Sequence, residues 1–207
     1  MNILITFLFI SICGQLFSGV FKRITYALEL IVLLFAVLFL PPVILETKGY
    51  YLWIVPGVLM GYCSFGISIL ITSLSFKKTW KYLSRIKNLL IFIIYRWKLG
   101  LFLLASALYE ECVWRGIIQT NIQPIEIGLI ATAVFFTIRH NDALAGNTMH
   151  VLDFFCFSLL LGVFYWLWHS LIFISAIHYI RNMGVLYYHS MERILYSSTK
   201  FKMGDEI

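Results

Sequence analysis

The sequence LGLFLLASALYEECVWRGII, from Leu99 to Ile118, has the length and apolar character of a membrane-spanning helix. Three of its residues are ionisable: Glu110, Glu111 and Arg115. Each such charge costs roughly 2.5–3.5 kcal/mol at the centre of a bilayer, so the three together oppose much of the stabilisation from the surrounding apolar side chains. Charges at this depth need partners, and a cluster of them is a candidate functional site.

The whole chain has the composition of an integral membrane protein. Of its 207 residues, 61% are hydrophobic and 13% are charged, and the mean hydropathy is +0.88. We therefore predict one membrane domain over residues 1–207, an all-α polytopic transmembrane bundle of about seven (six to eight) helices. The net charge of +6 lies mainly in short connecting segments. This distribution suits a protein whose partner is the lipid bilayer, and it gives no reason to expect nucleic acid binding.

Long apolar runs predict the individual spans, and polar stretches predict the connections. The segment 77–87 is the most basic of the chain and predicts a loop held to anionic headgroups. Residues 141–150 predict a second loop. The predicted spans cover residues 1–20, 24–45, 53–75, 99–119, 151–168 and 171–188, with an interfacial segment at 88–97 and a short helix at 127–138.

Helical spacing separates the two glutamates. Glu111 and Arg115 are four residues apart with the acid first, which is the favourable orientation for an ion pair on one helix face. Glu110 is turned about 100° from Glu111 and does not share that partner equally. We interpret Glu111–Arg115 as a structural ion pair and Glu110 as a free carboxylate, whose pKa a dry site would raise toward the range of a general base. One alternative is that all three residues form a purely structural polar network. A second is that Cys112 is a nucleophile, but it has no neighbour in sequence that would lower the pKa of its thiol.

Two later apolar helices carry histidines at helical spacing. Phe136 and His140 are four residues apart on one helix, and His178 and Asn182 are four residues apart on another, so each pair shares a face. A lone histidine in a membrane helix is usually a hydrogen-bonded bundle residue. Two histidines and an asparagine that accompany a carboxylate pair favour a catalytic site instead. We interpret the remaining histidines as interfacial or helix-end residues: His150, His169 and His189.

Three short motifs thus follow one another on successive apolar helices. They are EExxxR at residues 110–115, FxxxH at 136–140 and HxxxN at 178–182. Over roughly residues 99–182 the chain resembles the CPBP family of intramembrane proteases, which includes CAAX proteases and bacteriocin-processing enzymes. The resemblance implies an intramembrane endopeptidase that acts on a peptide or protein at the membrane, and a location in the inner (cell) membrane of a prokaryote.

The resemblance also implies a role for each motif residue. Glu110 corresponds to the catalytic glutamate, and Glu111 with Arg115 to a structural pair. His140 corresponds to a second catalytic residue. The site would be completed by His178 and Asn182.

These residues allow two versions of the chemistry. In the metal-free version, which we favour, Glu110 and His140 polarise a water that attacks a peptide carbonyl. His178 and Asn182 then donate to the developing oxyanion, a type of contact worth about 10²–10³ in rate per donor. In the alternative, His140, His178 and Glu110 hold zinc and lower the pKa of its water. Asparagine is a poor zinc ligand and no HExxH motif is present, so we expect no cofactor.

Two other classes of protein compete with an enzyme. One is a non-catalytic membrane immunity or scaffold protein, and the complete motif set argues against it. The other is a small transporter that uses Glu110 as a proton relay. The sequence shows no pair of similarly broken apolar segments of the kind that inverted-repeat transporters contain.

Overall fold

The computed structural model describes residues 50–140 and 148–204, together with Ile24 and Ile31. Within these ranges all regular structure is helical, which confirms the predicted all-α bundle. The predicted spans at 1–20 and 24–45 lie almost wholly outside the described residues. The helices are α1 (Ile54–Ser73), α2 (Phe76–Leu83), α3 (Ile86–Tyr95), α4 (Trp97–Glu111), a π-helix (Cys112–Gln119), α5 (Ile125–Arg139), α6 (Thr148–Trp168) and α7 (Leu171–Gly204).

Some of these helices have the length and hydropathy needed to cross a membrane. Among the described residues, α1 and α6 pass this test individually. Helix α3 and the segment Trp97–Gln119 pass it together, with a bend of 94° between them. The bend separates most of the segment predicted as interfacial, residues 88–97, from the charged helix. Exposed apolar side chains such as Val55 and Ile94 fit an integral membrane protein, in which the outer surface contacts lipid.

Helices α1 and α7 pack against each other at unusually short range because glycines line their contact. A Cβ atom at Gly61 would lie 2.8 Å from the backbone oxygen of Ile177. A Cβ at Gly184 would lie 2.5 Å from the ring of Phe65, which is fully buried. Small residues that allow such close approach are typical of helix contacts in membranes. The packing fixes the position of α7, and with it His178, relative to α1.

The basic segment predicted as a loop forms helix α2 and the start of α3. The loop prediction was wrong because the segment has a helix start signal: the side chain of Ser75 accepts a hydrogen bond from the backbone N–H of Lys78 at 3.3 Å. The helix buries Tyr82 and leaves Trp80 exposed. Both Lys78 and Tyr82 contact Glu192 of α7, which attaches α2 to the bundle.

In the second half of the chain, the break between two helices is where the sequence predicts it, and the last helix is longer than predicted. His169 has φ 48°, in the left-handed region that ends helices, so it lies in the break between α6 and α7. Helix α7 runs to Gly204 and not only to about residue 188, because no glycine or proline interrupts residues 185–203. His189 therefore lies within a helix and not at its end. Its ring centroid is 6.2 Å from that of His150 on α6.

Candidate active site

The two glutamates end helix α4, and the π-helix begins directly after them. The sequence predicted one continuous α-helix to Gln119, whereas residues 112–119 form wider π turns. π-Helical segments are rare in proteins, and those that occur often lie at functional sites. Glu111 and Arg115 still meet across the junction, with Oε2 and Nε 3.2 Å apart and both side chains 0% exposed. The predicted ion pair is therefore present and completely buried.

Arg115 has further partners outside its own helix. Its guanidinium donates to the backbone oxygen of Ser158 at 3.1 Å and to the hydroxyl at 2.8 Å. The same group lies 4.8 Å from the centre of the Phe136 ring. These contacts join the π-helix to α6 and α5. The pair thus connects three helical segments with hydrogen bonds and a cation–π contact.

Glu111 also contacts one of the predicted site histidines. The Nδ1 of His178 lies 2.6 Å from Oε1 of Glu111. Glu111 is paired with Arg115, so its carboxylate accepts and the imidazole Nδ1 carries the hydrogen. His178, which is 3% exposed, is consequently held in one tautomer and one orientation. Glu111 therefore has a second partner that the structural-pair interpretation did not include.

His140 is fixed by the end of helix α5. The last carbonyl groups of a helix lack intrahelical partners. The Nδ1–H of His140 donates to one of them, the oxygen of Phe136, at 2.8 Å. A carbonyl can only accept, so His140 is also the Nδ1–H tautomer. The two aromatic rings of the predicted FxxxH pair lie side by side, with centroids 4.3 Å apart.

Glu110 lies between the two imidazoles. Its Oε2 is 3.6 Å from Nε2 of His140 and 3.7 Å from Nε2 of His178. Its Oε1 accepts a hydrogen bond from the hydroxyl of Ser106 at 2.9 Å. Glu110 is therefore not paired with Arg115, and its polar neighbours are Ser106 and the two imidazoles. The hydroxyl of Ser106 donates to this carboxylate, a contact that was not predicted from the sequence.

The tautomers of the two histidines determine what chemistry is possible where they meet Glu110. When both imidazoles are neutral, His140 and His178 direct unprotonated Nε2 atoms toward the Oε2 of Glu110. Three hydrogen-bond acceptors then meet, and this oxygen has no hydrogen-bond partner among the described residues. The separations are too long for direct hydrogen bonds and suit a bridging water. The arrangement favours a water, or a proton carried by one imidazole, between the carboxylate of Glu110 and the two imidazoles.

Comparison with known proteins agrees with this geometry. Residues 89–184 match the family model for Rce1-like type II CAAX prenyl endopeptidases. This segment is an Rce1-like domain of the CPBP family. The matched segment includes all six residues predicted as site residues. No curated protein and no solved structure matches the chain.

The sixth predicted residue of the Rce1-like domain, Asn182, is connected differently from the other five. Its Oδ1 accepts a hydrogen bond from the guanidinium of Arg181 at 3.4 Å. Asn182 lies one helical turn after His178, so it remains on the predicted face of α7. With its oxygen turned to Arg181, the amide nitrogen is the group that can donate toward the site.

The domain contains a second buried ion pair, which was not predicted. Arg181 of α7 donates from Nη2 to Asp153 of α6 and from Nε to Ser68 of α1 at 3.0 Å. Ser68 in turn donates to Asp153 at 2.8 Å. A sequence signal was available, because Asp153 and Arg181 are lone opposite charges in two apolar runs. Charges in a membrane interior usually pair with one another.

Phenyl rings enclose the two imidazoles. The ring of Phe154 is stacked on His140, with centroids 5.3 Å apart and planes at 27°. Phe157 meets His178 edge-on at 5.4 Å. Phe136 contacts both imidazoles, at 4.3 Å and 5.9 Å. The rings therefore restrict the motion of the imidazoles.

A cavity of about 340 Å³ lies beside the site, between α1, α6 and α7. This volume is at the lower end of the range for small-molecule sites in proteins. Its wall includes Arg181, Asp153 and Phe154, and His150 and His189 also line it. Because Phe154 also stacks on His140, a single ring connects the cavity wall to the predicted site.

The residues were also compared with the requirements of zinc. The side-chain types fit, because zinc accepts imidazole and carboxylate ligands, and a ligating histidine usually donates its other N–H to a carboxylate or carbonyl. The arrangement does not fit: in the part of the chain that the structure describes, no three His, Cys, Asp or Glu side chains are placed to hold a metal ion.

Proposed function

We propose that this membrane endopeptidase hydrolyses its substrate with a water activated by Glu110 and His140, without a metal. The observation that carries the proposal is the meeting of one buried carboxylate oxygen with two imidazole Nε2 atoms of fixed tautomer. The family match supports a peptidase that acts on a peptide or protein at the membrane. It supports an integral membrane location, and we propose the inner membrane of a prokaryote.

The first step is attack of the water on the scissile carbonyl carbon. A water between Oε2 of Glu110 and Nε2 of His140 would lie within hydrogen-bond reach of both. Glu110 takes one proton as the oxygen of the water bonds to carbon, while the second hydrogen is held by His140. The carbonyl oxygen gains the electron pair of the C=O bond and becomes an oxyanion.

The oxyanion needs donors in a site with little water. The amide nitrogen of Asn182 is one, since its oxygen is occupied by Arg181. His178 supplies a second from Nε2 in its imidazolium form, which the carboxylate of Glu111 stabilises at 2.6 Å. When the intermediate collapses, the C–N bond breaks and the proton on Glu110 passes to the leaving nitrogen. The products are a carboxylic acid and an amine.

Conversion of Glu110 to glutamine tests the general-base role. Glu110→Gln keeps the shape of the side chain and removes the base, so hydrolysis should fall by about 10²–10⁴. The assay is cleavage by the purified full-length protein in liposomes, with a farnesylated peptide ending in Cys-aliphatic-aliphatic-X and its non-prenylated counterpart. His140→Ala should cause a similar loss, and Asn182→Ala a smaller one.

Glu126→Gln is the matched control, because Glu126 is an exposed carboxylate at the start of α5. It should retain wild-type activity, and both glutamine variants should unfold at about the wild-type temperature. Wild-type activity in Glu110→Gln would refute the general-base role. Loss of activity on prolonged chelation, with recovery on adding zinc, would support the metal alternative. A wild-type protein that cleaves neither peptide would support the scaffold alternative.

A further inference from the structure

The guanidinium of Arg181 contacts the two phenyl rings that enclose the site from α6. Its central carbon lies 4.9 Å from the centre of the Phe154 ring and 4.3 Å from that of Phe157. Both distances are within the range of a cation–π contact. The planar guanidinium also stacks on aromatic faces, which an ammonium group does not do.

Each of these two rings also contacts one imidazole. Phe154 contacts His140, and Phe157 contacts His178. The rings are three residues apart on α6 and therefore lie on the same side of that helix. One guanidinium thus reaches both imidazoles, through a separate ring in each case.

Arg181 is itself fixed from two other helices. Ser68 on α1 accepts from its Nε, and Asp153 on α6 accepts from its Nη2. All three side chains are almost completely buried. Its Nη1 donates to the amide oxygen of Asn182. Every nitrogen of the guanidinium therefore has a hydrogen-bond partner. These partners fix the orientation of the guanidinium plane, which the two rings contact.

We propose that Arg181, Asp153 and Ser68 form a positioning network that holds His140 and His178 in place through Phe154 and Phe157. The network rests on the proposed function, since it serves the imidazoles assigned there. Its residues do not touch the reacting atoms. A displacement of about 1 Å in a catalytic group can lower a rate 10²-fold. Loss of the network should therefore lower the rate of the reaction and leave the binding of substrate unchanged.

The network predicts a crossed pattern in two leucine variants. Phe154→Leu should disturb His140 and leave His178 unchanged, whereas Phe157→Leu should do the reverse. Arg181→Lys keeps the charge but loses the planar group that meets both rings, so it should disturb both imidazoles. Phe155→Leu is the matched control on α6, because among the described residues this ring has no contact with either imidazole.

The readout is nuclear magnetic resonance of ¹⁵N-labelled histidine in the full-length protein in detergent micelles. The chain has only five histidines, which single His→Gln variants assign. In the wild type, His140 and His178 should each show a protonated Nδ1 that exchanges slowly with solvent. The affected imidazole in each variant should show mixed tautomers or faster exchange. This readout needs no substrate, so it separates failure of the network from failure of the proposed function.

The second readout is peptide cleavage, with kcat and KM measured separately. Phe154→Leu, Phe157→Leu and Arg181→Lys should each lower kcat by about tenfold or more and change KM less than twofold. If Arg181→Lys does not fold, the two leucine variants still test the network, because both leave the ion pair intact. Unchanged histidine signals and kcat in both leucine variants would overturn the proposal. Equal effects of Phe154→Leu and Phe155→Leu would also overturn it.

Discussion

The two buried arginines have similar surroundings but are paired in different ways. Arg115 and Arg181 each contact a carboxylate, a serine hydroxyl on another helix and at least one phenyl ring. Arg115 pairs with Glu111, four residues before it, whereas Arg181 pairs with Asp153 on a different helix. The first pair depends on local geometry. The second exists only when α1, α6 and α7 are packed together.

The carboxylates of the two pairs also differ in what else they contact. Glu111 holds the imidazole of His178 directly at 2.6 Å. Asp153 has Ser68 as its other hydrogen-bond partner. The local pair is therefore part of the site itself, and the interhelical pair reaches the site only through Arg181 and the rings that Arg181 contacts. Three predictions test this difference.

Removal of either guanidinium should have the largest effect on stability. Arg115→Ala and Arg181→Ala each leave a buried carboxylate uncompensated, which costs on the order of 3–5 kcal/mol in the free energy of unfolding. Arg181→Ala should be the more severe of the two, because Glu111 retains His178 as a partner that can become positively charged. Equilibrium unfolding in detergent measures both values.

Arg193→Ala is the control for these variants, because Arg193 is exposed on α7. It should change the free energy of unfolding by less than about 0.5 kcal/mol. A wild-type stability in Arg115→Ala would show that the pair with Glu111 is not structural. A greater loss in Arg115→Ala than in Arg181→Ala would reverse the comparison between the two pairs.

A change in the spacing of α1 and α7 should affect the interhelical pair more than the pair of Glu111 with Arg115. In Gly61→Ala the new Cβ would lie 2.8 Å from the backbone oxygen of Ile177, so α7 must move. Overpacking of this kind costs about 1–3 kcal/mol. We expect reduced stability and, since Ile177 precedes His178, reduced kcat as well.

Gly116→Ala is the matched control in the π-helix. The nearest atom to a Cβ at Gly116 is in the side chain of Leu171 at 3.7 Å, an ordinary contact distance. This variant should keep its free energy of unfolding within about 0.5 kcal/mol of the wild type. If Gly61→Ala were equally harmless, the short contact between α1 and α7 would not be what holds the interhelical pair.

The smallest effect is expected at a third ion pair, which is only partly buried. Lys78 and Glu192 are 2.7 Å apart and each about one third exposed, so solvent screening limits their contribution to roughly 0–1 kcal/mol. Burial acts to raise the pKa of Glu192, but hydrogen bonds from Lys78 and Tyr82 outweigh it and lower the pKa below the usual 4.5. A lowered pKa means that the contribution is present above pH 4.5 and is lost as the pH falls through the lower folded value.

Glu192→Gln should therefore reduce stability slightly at neutral pH. The wild type and the variant should converge as the pH falls below the folded pKa of Glu192, because the wild-type carboxyl is then neutral too. Thermal unfolding from pH 7 to pH 3 measures the difference. A difference that grows toward low pH would contradict the direction of the pKa shift.

Local spacing predicted several contacts between side chains correctly. It paired Glu111 with Arg115, separated Glu110 from that pair, and placed Phe136 beside His140, because residues four apart on a helix are neighbours whatever the rest of the chain does. The apolar runs of the sequence also identified the spans α1 and α6. Local spacing did not predict the π-helix after Glu111 or the helix at residues 76–83, where tertiary packing and a capping side chain decide the local structure.

The amino-acid sequence by itself determined that this is an all-helical membrane protein, and which side chains share a helix face. Those properties follow from hydropathy and from helical spacing, which are local. Only the tertiary structure decided that Glu110 meets two imidazoles, that Glu111 fixes one of them, and that Asp153 pairs with Arg181. The physical reason is that these contacts join helices distant in sequence, so they depend on the distances and rotations that packing imposes.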